Sequence, residues 1–139
     1  MTDYNHVSGF VAHLDTKVRQ RDYNHVLVDQ TLGDGFLFIR FEVKALLEVH
    51  EQAFQSIFVE DISHRHFGRY QNVWVLQPDE SGKGTKVIYM MDAQRNEHTP
   101  GFITADIFKT GLRNFLKQYR YEMVKREEKR KKAFTIVSR

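Results

Sequence analysis

Cysteine is absent from all 139 residues. That excludes disulfides, thiol nucleophiles and cysteine-based zinc sites. No stretch approaches the roughly 20 consecutive apolar residues with which a helix spans a bilayer. Residues 1–15 lack the basic start and apolar run of a secretory signal. A soluble, cytoplasmic protein with no transmembrane segment is therefore expected. Catalytic motifs are missing as well. His50-Glu51 would need a second histidine at position 54 to form a zincin helix, and that position holds Phe54. Lys83-Gly84-Thr85 resembles the end of a phosphate loop, but Gln77 stands where its first glycine belongs. That segment also joins strand to strand, whereas a phosphate loop opens a helix. Gly33-Asp34-Gly35 is not a dinucleotide fingerprint, because Phe38 occupies the third glycine position.

Seven histidines raise the question of a metal. His64 and His66 lie two apart near Asp61 and would share a strand face. A zinc site needs further ligands from unconnected positions, so these are read as surface or turn histidines. No metal ligand, cofactor or catalytic residue is assigned.

Positive charge is modest and unevenly placed. The net charge is +3. From Lys125 to Arg139 there are seven bases and two acids, a surplus of five. The remaining 14 bases and 16 acids leave the body at −2. The basicity belongs to the tail, so the high sequence pI does not mark a nucleic-acid-binding domain. Glu127 and Glu128 interrupt the basic run, and no aromatic residue interleaves it before Phe134. A solvated helix end is the reading for 125–139, and nucleic acid is not an expected partner.

What is present is apolar. Hydrophobic residues make up 41% of the chain and aromatics 13%, with 11 Phe, enough for one domain with a broad apolar lining. Val7, Phe10, Val11 and Leu14 recur at helical spacing, which predicts one or two helical turns near the start. Strands are predicted over 16–21, 25–31, 36–49, 53–62, 64–77 and 85–92. Asp22-Tyr23-Asn24 and Gly33-Asp34-Gly35 mark the first two turns, and residues 78–84 a polar one. In the third strand Leu37, Ile39, Phe41, Val43 and Ala45 share the core face. In the fifth, Tyr70, Trp74 and Leu76 share a side, and in the sixth Val87, Tyr89 and Met91. Short connectors imply an antiparallel meander.

A long helix should follow, opening at Thr99-Pro100-Gly101 and running over about 102–132, roughly 45 Å. Phe108, Leu112, Phe115, Tyr119 and Met123 recur at spacings of three and four. Beyond Met123 the helix should project or fray. Gly111 lies mid-helix, where it either makes room or allows a bend, or else permits close packing.

Several segments in chain order resemble a known family. They are Thr2-Asp3-Tyr4, Phe10-Val11 and Leu14; the run Gln71-Asn72-Val73-Trp74-Val75-Leu76-Gln77-Pro78; Gly84-Thr85-Lys86-Val87-Ile88-Tyr89; and Pro100-Gly101-Phe102 before a helix. Together they resemble the polyketide cyclase/dehydrase and lipid-transport family of the START-like (SRPBCC, helix-grip) superfamily. Ala12 stands where the family pattern has proline. The resemblance implies an α+β, helix-grip (START-like) fold, an antiparallel sheet wrapped around a long C-terminal helix, over residues 1–124. It also implies an apolar cavity between sheet and helix, where the same side chains in a generic domain would fill a solid core.

The expected ligand-binding residues are Leu37, Ile39, Phe41, Ile57, Tyr70, Trp74, Tyr89, Phe108, Leu112 and Phe115. The expected function is binding or transport of a small hydrophobic ligand, a lipid, quinone or polyketide-like molecule. Tyr89, Tyr70, Asn72 and Tyr119 are the polar groups near it, and they form no evident acid–base pair. A cyclase or dehydratase is the alternative. A protein or ribonucleoprotein interaction module is the second. Members of the family carry a strand and most of a helix before the Thr-Asp-Tyr segment. Without them the strand from Thr85 to Asp92 is an unpaired apolar edge, which predicts a homodimer through that edge or a longer native chain.

Overall fold

The computed structural model describes residues 14–36 and 39–137. Six strands run in chain order: β1 (Leu14–Asp22), β2 (His25–Phe36), β3 (Ile39–Gln52), β4 (Ser56–Asp61), β5 (Phe67–Pro78) and β6 (Thr85–Arg95). One helix follows, α1 (Ala105–Val137). The strands form a single open sheet ordered β1-β2-β3-β4-β5-β6, every neighbouring pair antiparallel. The chain is thus α+β, an antiparallel meander followed by one long helix. The sheet, through Pro100, and the helix, from Gly101, are two compact units. No described helix is long and apolar enough to cross a membrane. The helical turns expected over residues 1–14 lie outside the described residues except at Leu14, which opens β1 instead.

Alternation builds the sheet's core. Register aligns Val26 with Val49 and Val28 with Leu47, then Val49 with Val59. These five side chains are buried and form one cluster, with Val18, Ala45, Ile57 and Tyr70 packed against it. β-Branched valines suit a pleated, close-packed face. Bulges interrupt the ladder at Arg19 in β1 and Gly68 in β5. A Cβ at Gly68 would make ordinary contact with the Arg95 carbonyl oxygen at 3.6 Å.

Side-chain hydrogen bonds terminate the strands. Asp61, only 1% exposed, closes β4. Its Oδ1 accepts from the Leu46 amide (3.2 Å), the Ser63 amide (2.9 Å) and the Ser63 hydroxyl (2.6 Å). At the next rung the Ile62 amide still donates to the Leu46 carbonyl at 2.9 Å, while the Asp61 side chain takes the Leu46 amide. After β6, the buried Thr99 donates its hydroxyl to the His66 carbonyl and accepts from the Asn96 amide at 2.9 Å. Asn96 Nδ2 donates to the His64 carbonyl at 3.0 Å. These bonds tie the exit of β6 to the connector between β4 and β5.

Three local expectations are corrected. Gly33-Asp34-Gly35 is not the hairpin turn: β2 continues through it to Phe36, which pairs with Ile39. Glycine permits a turn but does not compel one where an extended ladder is available. His64 and His66 share no strand face, because residues 62–66 form a connector in which His64 has φ 50°. The helix begins at Ala105, not near residue 102, because Thr104 caps it: its Oγ1 accepts from the Ile107 amide at 3.3 Å.

The far end of the helix does not fray at Met123. It stays helical to Val137, in a segment of strong helix formers where Arg130 donates two hydrogen bonds to Glu127 at 2.8 and 2.7 Å. Met123 itself is exposed, so the apolar stripe is shorter than its spacing suggests. A Cβ added at Gly111 would meet no described atom within 4 Å. Gly111→Ala should therefore raise stability by about 1 kcal/mol through helix propensity alone. Thermal melting checks this, and a lowered midpoint would reveal a constraint on that backbone.

Candidate functional site

One face of the sheet carries four of the expected binding residues, Ile57, Tyr70, Trp74 and Tyr89. Register sets Ile57, Trp74 and Tyr89 in a single row across β4, β5 and β6. The next row holds Val59, Asn72 and Met91. Because side chains on directly paired residues share a face, these rows lie beside the valine cluster. The Trp74 and Tyr89 rings meet edge to face, with centroids 4.5 Å apart and planes at 66°. Trp74 Nε1 donates to Asn72 Oδ1 at 3.0 Å, which holds the indole in place. Tyr70 stands farther along β5, its ring 5.5 Å from that of Phe67.

Burial falls off across this face. Val26, Val28, Val49 and Val59 are buried, whereas Ile57, Trp74, Leu76, Tyr89 and Met91 are only half-buried. At the far edge Val87 is 40% exposed. Apolar and aromatic surface toward β6 thus remains partly open to contact.

The electrostatics are those of neutral donors. Burial, reinforced by the nearby Asp61 charge, pushes the Tyr70 phenol up to about 12. Burial, then Tyr70, pushes the Tyr89 phenol upward as well. Both hydroxyls stay protonated near neutral pH and can donate a hydrogen bond to a ligand's polar end.

The ten expected binding residues divide into three groups. Ile57, Tyr70, Trp74 and Tyr89 come together on the sheet face just described. Phe108, Leu112 and Phe115 are half-buried along one side of α1, where Phe115 stacks on Tyr119 with centroids 5.8 Å apart. Leu37 lies outside the described residues, as do the side chains of Ile39 and Phe41.

The opposite face of the sheet holds a cluster that sequence reasoning missed. His25 pairs directly with His50 across β2 and β3, and Glu48 lies two residues before His50 on the same face. His25 Nε2 donates to Glu48 Oε1 at 2.8 Å, and His50 Nε2 lies 3.7 Å from Glu48 Oε2. The two imidazole centroids are 4.9 Å apart. Hydrogen bonding from His25 is the chief cause holding the Glu48 carboxyl below its usual range. The missing signal was register. A turn centred on Asp34 would set His25 opposite Val43, whereas the observed ladder sets it opposite His50.

Neither models of known protein families nor curated proteins match this sequence.

Proposed function

We propose that this protein binds a small hydrophobic molecule, a lipid, quinone or polyketide-like compound, on the Trp74 face of its sheet. The observation that carries the reading is the half-buried row Ile57–Trp74–Tyr89, with its indole fixed by Asn72. A flat apolar ligand laid on that row gains about 25 cal/mol for each Å² removed from water. The protonated phenols of Tyr70 and Tyr89 would orient its polar end. Phe108, Leu112 and Phe115 form a separate half-buried apolar strip on α1. The proposal includes the START-like resemblance and a cytoplasmic setting.

It also includes a homodimer. Among the described residues β6 is an outer strand of the sheet, paired on one side to β5. Its Val87 and Met90 are exposed, and such an edge recruits a partner strand. Native mass spectrometry of protein purified from its own host tests ligand and dimer together. The expected species is a dimer retaining an apolar molecule of discrete mass. A bare monomer under gentle conditions would count against both.

A further inference from the structure

We infer that His25, Glu48 and His50 form a binding site for one divalent transition-metal cation of the zinc type. The site lies on the sheet face opposite Trp74 and is independent of the apolar-ligand reading.

The strand ladder builds it. His25 and His50 are a directly opposed cross-strand pair, so their side chains leave the same face side by side. Glu48, at i−2 from His50, must share that face. Three ligands of types suited to zinc are thus imposed by backbone register, without any loop. The donor atoms converge: one atom from each residue falls within 4.8 Å of the other two. In tetrahedral zinc, metal–ligand bonds near 2.0–2.1 Å place neighbouring donors roughly 3.4 Å apart. Each histidine lies against its own Glu48 oxygen, His25 Nε2 2.8 Å from Oε1 and His50 Nε2 3.7 Å from Oε2, so the carboxylate faces both rings.

The surroundings favour a cation. Register places Glu60 directly opposite Glu48 on the same face. Like charges facing each other across a ladder are destabilising, and a bound divalent ion relieves them. Phe58, opposite His50, sets its ring 6.4 Å from that imidazole and limits where it can turn. On binding, the metal takes the place of the proton that His25 Nε2 donates to Glu48. Two imidazoles and one carboxylate leave a fourth position for water or an external ligand. The mixed nitrogen and oxygen donors select zinc-like ions over magnesium or calcium.

The test is calorimetric titration of the chelator-stripped full chain with Zn²⁺, repeated with Co²⁺ while following its visible absorption. The expected result is one ion per chain and a tetrahedral cobalt spectrum. His50→Gln and Glu48→Gln should each weaken binding by at least about tenfold. His98→Gln should leave it unchanged. In the unmutated chain, traces of Cu²⁺ should broaden the ring resonances of His25 and His50 before those of any other histidine. The inference is overturned by undiminished one-to-one binding in a folded His25→Gln/His50→Gln double variant. Copper broadening that begins at other histidines, or no binding by the unmutated chain, overturns it equally.

Discussion

Asp61→Ala is expected to lower the stability of the sheet by about 3 kcal/mol. Asp61 is 1% exposed, and its Oδ1 accepts three hydrogen bonds, from the Leu46 amide, the Ser63 amide and the Ser63 hydroxyl. Alanine removes every acceptor at once and leaves the donors where water reaches them poorly. An unpaired buried donor costs more than the bond itself contributed. The position is also where β4 parts from β3, so the loss falls on a strand end held beyond it by one backbone bond, from the Ile62 amide to the Leu46 carbonyl. Asp61→Asn keeps one oxygen acceptor of the same reach and should cost about 1 kcal/mol. Urea unfolding separates the two: the midpoint should fall further for alanine than for asparagine, with little change of slope. Equal, small shifts for both would show that the turn at Ser63 does not depend on this carboxylate.

The second large effect concerns binding. Trp74→Ala is expected to weaken the affinity for an apolar ligand by about 2–3 kcal/mol, roughly 50-fold. The indole offers the largest apolar surface of its row, and its edge-to-face contact with Tyr89 keeps both rings in a fixed arrangement. Alanine removes about 100 Å² of surface that a ligand could cover. Trp74→Phe keeps most of that surface but loses the hydrogen bond to Asn72, so it should lose less than tenfold. Affinity unchanged in both variants would move the site away from this row.

Much of the sheet was legible in the residues themselves. Alternation in β5 correctly groups Tyr70, Trp74 and Leu76, and that of β6 groups Val87, Tyr89 and Met91, because period-two patterning is local. Short connectors correctly imply a meander. Register was less legible. It depends on where a turn is centred, and Gly33-Asp34-Gly35 is a turn signal lying inside a strand. A displacement of a few residues leaves the facing of Val26 and Val28 intact but changes every partner across the ladder. The His25–His50 pair was invisible for that reason, and because the expected third strand ended at Val49, whereas β3 runs on to Gln52. Helix limits were blurred because Pro100-Gly101 punctuates the chain before the true cap at Thr104. The helix also extends past the apolar stripe on charge pairing, as between Glu127 and Arg130, which hydrophobic spacing does not report. The exposure of Met123 shows that period alone does not decide which apolar residues are covered.

Trp74 is the sole tryptophan of the chain, so its emission reports on the proposed site without interference. Titrating the 139-residue chain with a long-chain fatty acid, and separately with a quinone, tests the central claim most directly. The account predicts a saturable blue shift of Trp74 emission at one ligand per chain for at least one of these probes, weakened about 50-fold in a competition assay when Trp74 is alanine. Emission that stays unchanged through saturating concentrations of both probes would contradict it.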